Sequence, residues 1–318
     1  MDRRMFASLG ALTATGAFRA LAQGSPIRFI YPYAPGSGGD ALVRVLADQI
    51  GRELNETVLV ENRTGADGRI GVRDVKAAPA DGRTMLFTPF GSMVLFPSVY
   101  ASLPYDPFKD FAPVSQVVAY DFGLAAGPMF PGKTLADLAA WLTADPSRAN
   151  FGMPGSGAMP HFLPLKFGAI AGVDITAIAF KGSVPALTEA MAGHLPLVCA
   201  PLSDLIEQHK AGTIRLLASS GRERSLFTPD VPTFLEQGYD IVASGWYGIF
   251  APVGSPAAIL DRISSIVVRA IRSEAGKSLA LKFGFAPTGT SAAELGAIQK
   301  ADFERWAPVV KASGFRGD

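Results

Sequence analysis

Apolar positions along the chain fall into two alternating rhythms. Ile27–Tyr31, Val58–Glu61 and Thr84–Thr88 are short apolar runs that predict strands. Between them, Asp40–Leu54 and Gly68–Ala78 carry apolar residues at helical spacing, with Leu42, Val45, Leu46 and Ile50 on one face of the first. Pro79 ends the second. The plan then repeats. Strands are expected at Phe122–Ala126, Asn150–Met153, Ile175–Phe180, Leu195–Ala200 and Ile214–Ser219. Helices are expected at Leu135–Thr143, Ala158–Ala171, Pro185–Met191 and Ser203–Ala211. Val242–Pro252 has the length and composition to cross back to the first part, and helices Pro256–Ser273 and Ser291–Ala312 finish the chain. Such alternation implies α/β architecture, with mainly parallel sheets covered by helices, and ligands bound beyond the strands' carboxyl ends.

Within this pattern one tetrapeptide occurs twice. Pro35-Gly36-Ser37-Gly38 follows the first strand, and Pro154-Gly155-Ser156-Gly157 follows the strand at Asn150–Met153, about 120 residues later. Each runs into a predicted helix, and neither is followed by the Lys-Ser/Thr of a nucleotide P-loop. N–H groups in a helix's first turn lack intrahelical partners, and the helix dipole makes that end partly positive. Glycine admits a ligand to the bare backbone, and Ser37 and Ser156 add hydroxyl donors. The pair reads either as two anion half-sites across a cleft or as two ordinary strand-to-helix turns.

The chain's start has the pattern of an export signal. Arg3-Arg4-Met5-Phe6 precedes an apolar segment from Ala7 to Phe18, and Ala20-Leu21-Ala22 is a small-x-small cleavage site before Gln23. The paired arginines resemble the twin-arginine signal, although Asp2 stands where Ser or Thr is usual; Arg19 also suits that route. The expected mature protein begins after Ala22 and works in the periplasm. Its length suits two lobes. The near-neutral balance of +1 with no basic run gives no support to a nucleic-acid partner or an anionic membrane surface. Cys199 is the single cysteine, in an apolar run, and is expected to be a small buried hydrophobe.

Further blocks occur in a fixed order: Val60-Glu-Asn-Arg-Thr-Gly-Ala66, Ala80-Asp-Gly-Arg-Thr84, Asp110-Phe-Ala-Pro-Val114, Phe180-Lys-Gly-Ser183, Pro229-Asp-Val-Pro-Thr233 and Gly245-Trp-Tyr-Gly248. With Pro26–Asp40 and Gly155–His161, they resemble the substrate-binding proteins of the tripartite tricarboxylate transporter system, the Bug or TctC-like receptors, over essentially the whole mature chain. The resemblance implies a type II periplasmic binding fold. Lobe 1 would comprise residues 23–124 and 248–318, lobe 2 residues 125–247, and the lobes would close on a ligand. It implies a monomeric receptor, not an enzyme and without a cofactor, that binds a small carboxylate and delivers it to a membrane transporter of the tripartite tricarboxylate type.

The ligand-binding residues so implied are Tyr33, Pro35, Gly36, Ser37, Gly38 and Asp40 in the first turn and Gly155, Ser156, Gly157 and His161 in the second, with Ser92 and Ser183 beside them. The Cys199–Ser203 region lines the second lobe's side. Three departures from the family pattern stand out. Ser37 replaces a glycine, Arg83 replaces a tyrosine, and Met159-Pro160 precedes His161 where small or polar residues are common.

Several of these residues admit two roles. Asp40 either accepts from a ligand amine or hydroxyl or caps its own helix. His161 either donates to a carboxylate or orients the second turn from behind. Lys181 is a countercharge or an exposed lysine; Trp246 and Tyr247 pack at the crossover or touch ligand; His194 and His209 are expected at the surface, with no metal site. Rival functions are an exported enzyme acting on a small carboxylate and a ligand sensor without transport. The first lacks a Gly-x-Ser-x-Gly elbow, His-Glu-x-x-His and Cys-x-x-Cys. Citrate, a C4 dicarboxylate, an aromatic carboxylate and an amino acid all fit the sequence equally.

Overall fold

Each predicted strand can bury its apolar residues only beneath a helix, and the chain folds by pairing the two repeatedly. A computed structural model describes residues 25–317; the expected export signal, residues 1–22, lies outside them. β1 (Ile27–Tyr31), α1 (Gly38–Leu54), β2 (Val58–Asn62), α2 (Arg69–Lys76) and β3 (Thr84–Pro89) open the chain. The single-turn helices α3 (Gly91–Val94) and α4 (Phe96–Val99) lead to β4 (Phe111–Ala126). Then come α5 (Leu135–Ala144), β5 (Asn150–Met153), α6 (Met159–Ala171), β6 (Thr176–Ala179), α7 (Ser183–Met191), β7 (Leu197–Pro201), α8 (Leu202–Lys210) and β8 (Arg215–Ser219). β9 (Ser244–Pro252), α9 (Ala257–Arg272), α10 (Glu274–Lys282), β10 (Ala286–Pro287) and α11 (Ala292–Ala312) complete the order.

The strands form two half-sheets of the same design. The first runs β2-β1-β3-β9-β4 and the second β6-β5-β7-β4-β8. In each, three parallel strands meet an antiparallel fourth: β9 against β3, and the end of β4 against β7. β4 belongs to both, because Phe111–Asp121 pairs with β9 and Phe122–Ala126 with β7 and β8. In both half-sheets the strand order reverses beside the central strand, β1 or β5, which is where open α/β sheets leave a crevice. The repeated tetrapeptides follow those two strands.

Sequence and structure differ most at β4. A strand was expected only over Phe122–Ala126, since Pro113 and the polar pair Ser115-Gln116 break the alternation before it. The structure absorbs them as register shifts between Pro113 and Ser115 and between Gln116 and Val118. Ser115 Oγ donates to the Thr290 carbonyl at 2.7 Å, and the Gln116 N–H donates to Thr290 Oγ1 at 2.9 Å. α10 was also unread; Ser273 ends α9 and caps α10, accepting the Gly276 N–H at 3.0 Å. Cys199 is fully buried, as its apolar setting implied, and burial raises its thiol pKa.

One close contact ties the first turn to the core. A Cβ on Gly39 would lie 2.6 Å from Tyr247 Cζ, and that ring stacks on Phe87 at 5.2 Å and 4°. The ring cannot yield without unstacking. Alanine normally stabilises a helix relative to glycine by up to about 1 kcal/mol. Here Gly39→Ala is expected to destabilise by about 1–3 kcal/mol instead. A urea midpoint equal to or above wild type would contradict this packing.

Candidate functional site

The first turn is fixed by a capped helix. Ser37 is the N-cap of α1: its Oγ accepts the Asp40 N–H at 3.3 Å and lies 2.9 Å from the Tyr31 hydroxyl. Asp40 sits three residues into the helix and is buried. Its carboxylate accepts from the Gly36 N–H at 3.1 Å, from Arg44 at 2.9 and 3.1 Å and from Asn62 Nδ2 at 2.9 Å. Burial opposes its charge, but Arg44, Asn62 and Gly36 outweigh it and hold the carboxyl below its ordinary value. Of its two possible roles, this geometry fits the one internal to the helix start. Gly36 has φ +95°, a left-handed conformation that favours glycine, and a Cβ there would meet nothing within 4 Å. The N–H groups of Gly38 and Gly39 point out of the helix ladder, as first-turn donors do.

The second turn is held from behind by its histidine. Gly155 has φ +152° and Gly157 φ +73°. The Gly157 N–H donates to His161 Nδ1 at 3.2 Å, so the imidazole is neutral with its other nitrogen protonated. The ring is buried, edge-on to Phe315 at 4.3 Å and stacked with Phe162 at 5.1 Å. Burial pushes its pKa down to about 4. Ala158 starts α6 without a side-chain cap, and Pro160 lies in its first turn. Pro154, Gly155 and Ser156 remain partly exposed.

Among the described residues no hydrogen bond joins the two turns directly. A loop after β2 bridges them. The Tyr33 hydroxyl donates to the Asp67 carbonyl at 3.3 Å, and Asp67 Oδ1 lies 3.5 Å from where a Cβ on Gly155 would sit. A Cβ on Gly157 would lie 2.7 Å from Val99 at the end of α4. The loop is strained: Ala66 and Asp67 have φ +47° and +54°, between Gly65 and Gly68 at +122° and +90°. Asp67 Oδ2 also accepts from the Tyr100 hydroxyl at 3.0 Å, and Arg69 lies over the Tyr100 ring at 3.7 Å. A hollow of about 290 Å³ adjoins this loop, lined by Ala66, Arg69 and Ile70 among others.

The remaining expected residues have defined partners. Ser92 is buried, its Oγ 3.3 Å from Thr88 Oγ1 and 3.4 Å from the Tyr33 hydroxyl. Burial raises Tyr33 above the ordinary phenol value. Ser183 Oγ donates to Asp204 Oδ2 at 2.6 Å. Pro35 is exposed in the first turn and Lys181 is exposed beside Ser183. Trp246 packs at the crossover, donating Nε1–H to Asp302 at 2.9 Å. His209 is not the surface residue expected, because it accepts the Leu216 N–H at 3.3 Å and is largely covered. Sequence reasoning missed Tyr31, Asp67 and Asp204. Asp204 had a signal, being in the first turn of a helix that follows a strand in the second half-sheet.

The low His161 pKa has a pH consequence. The unfolded imidazole titrates near 6.5 and the folded one near 4. Between these values the unfolded chain binds the extra proton, so stability falls as pH drops through that window and levels off below it. The component amounts to roughly 3 kcal/mol. Urea midpoints at pH 7 and pH 4.5 should therefore fall further for wild type than for His161→Asn, which keeps an acceptor but does not titrate. Equal losses would remove His161 from the account.

This geometry has counterparts among known proteins. A family model described as the tripartite tricarboxylate transporter family receptor matches residues 42–315. Protein BugT of Bordetella pertussis is 30% identical over 318 residues, covering 98% of both chains. Rpa4515 of R. palustris, solved with adipate, superposes with a TM-score of 0.86 at 27% identity, covering 92% of this chain and 98% of its own. MatC (Rpa3494) of Rhodopseudomonas palustris, solved with bound malate, gives 0.82 at 26% identity, covering 90% and 98%. The paired half-sheets are thus those of periplasmic binding proteins of this type, and the chain belongs to the tripartite tricarboxylate transporter receptor family, among the Bug proteins.

Proposed function

We propose that this receptor closes two lobes, residues 23–124 with 248–318 and residues 125–247, on a small carboxylate and presents it to a tripartite tricarboxylate-type membrane transporter. The observation that carries the reading is the equivalence of the two turns. Each follows the central strand of its half-sheet, each opens a helix, and both adjoin the loop at Gly65–Gly68. In this reading the protein is exported, cleaved after Ala22, and acts as a monomer in the periplasm. Among the described residues no helix is long and apolar enough to cross a membrane.

The ligand's carboxylate would take the first-turn N–H groups of Gly38 and Gly39, the hydroxyls of Ser37 and Ser156 and the exposed backbone of Gly155. Asp40 and His161 would act behind the turns, because each already holds its own backbone amide. A helix start contributes only about 0.3–1 kcal/mol at an exposed site. Micromolar affinity needs about 8 kcal/mol. Both turns are therefore required together, with charge-assisted hydrogen bonds strengthened as water leaves the closing cleft.

Thermal unfolding of the mature chain against carboxylates and their amides tests the reading. One acid should raise the midpoint and its amide should not. No shift with any acid, and no acid among the molecules released on denaturation, would overturn it. Gly36→Val and Gly155→Val should each lower affinity at least about tenfold, a loss of about 1.4 kcal/mol or more in binding. Space is not the obstacle, since a Cβ meets nothing within 4 Å at Gly36 and only Asp67 Oδ1, at 3.5 Å, at Gly155; the strain comes from φ values of +95° and +152°, which valine rarely adopts, so folding of each variant is checked by its thermal midpoint. Undiminished affinity in either folded variant would sink the two-turn requirement.

A further inference from the structure

The second half-sheet carries an acid where the first carries a hydroxyl. Ser92 follows β3 in the first half-sheet; Asp204 follows β7, the equivalent strand of the second. Asp204 lies at the seam between the halves. A Cβ on Gly284, between α10 and β10, would come within 3.1 Å of Ser203 Cα and Cβ. Burial raises the phenol pKa values of Tyr31, Tyr120 and Tyr247, which belong to β1, β4 and β9, and the Asp204 charge adds to the rise at each. These rings form one cluster, with Tyr120 and Tyr247 at 5.3 Å and Tyr31 and Tyr247 at 6.4 Å.

The partner of Asp204 is neutral. Ser183 donates to Oδ2 at 2.6 Å, and among the described residues no basic side chain is within ion-pair distance of it. Burial raises its pKa, against the pull of Ser183. A half-buried carboxylate without a cation is costly, and it is relieved when a positive group arrives. Asp67 adds a second carboxylate facing the other turn at Gly155. A plain dicarboxylate would bring more negative charge to this side of the cleft. A ligand with an ammonium group would supply the missing charge.

We propose that Asp204 determines specificity, and that the natural ligand carries a protonated amine beside its carboxylate, as an amino acid or other amino-carboxylate does. The inference rests on the carboxylate-receptor reading and names the ligand class within it. The turns hold the carboxylate, while Asp204 accepts from the ammonium group and Ser183 keeps the acid in place.

Matched acids test it. Succinate with aspartate, glutarate with glutamate, and adipate with 2-aminoadipate are titrated calorimetrically into protein purified without refolding. In the pair that binds, the amino member should be tighter by about tenfold or more, and Asp204→Asn should remove most of that preference while leaving the plain acid within about threefold. A plain acid that binds as tightly as its amino partner overturns the proposal and leaves the carboxylate reading standing. If Asp204→Asn does not fold, the wild-type pairs still decide, together with mass spectrometry of the molecule released on denaturation. A released acid without an amine overturns the proposal as well. If no acid of either series binds and no acid is released, both readings fall.

Discussion

The shared strand β4 is the constraint on which the rest of the structure depends. A strand inside a sheet must satisfy its backbone groups on both edges, and β4 does so with different neighbours along its length. Its first part pairs with β9 along one edge and meets β10 on the other at Val118 and Ala119, and its last residues lie between β7 and β8. The two half-sheets are consequently joined through one hydrogen-bonded ladder as well as through connecting loops. That join sets the ends of β1 and β5 toward a common seam.

Charge is handled unevenly around that seam. Asp40 is fully engaged by Arg44, Asn62 and Gly36, so burying it costs little net free energy. His161 is kept neutral and spends its acceptor on Gly157. Both are supports that hold glycine turns whose own conformations are unfavourable to other residues. Asp204 is the exception: it is half-buried, Ser183 donates to it, and among the described residues no cation pairs with it. The contrast follows from the partners each neighbouring element supplies.

Much of this was legible in the sequence. The paired tetrapeptides and the strand–helix alternation were readable because glycine, proline and apolar spacing act locally. The start of β4 was not, since Pro113 and Ser115-Gln116 break the alternation and only the distant Thr290 compensates them. Tyr31 was hidden for a similar reason: it reads as one more apolar strand residue, yet its hydroxyl reaches the Ser37 cap. Asp67 was hidden because it follows Ala66, whose left-handed backbone an alanine does not predict. Asp204 is an ordinary acid in a helix's first turn as far as sequence goes, and the hydroxyl that engages it comes from Ser183, on another helix.

The crossing strands also dictate an order of assembly. Everything the second half-sheet needs lies between Phe122 and Ser219, whereas the first waits for β9, whose Phe250 pairs with Leu86. As the chain emerges from the ribosome, the edges of β3 and β4 that will hold β9 stay open until the polypeptide is nearly finished. Open apolar edges of that kind recruit other chains. The burden of keeping this protein from aggregating during synthesis therefore falls on the chain up to Ala126, before any ligand has a place to bind.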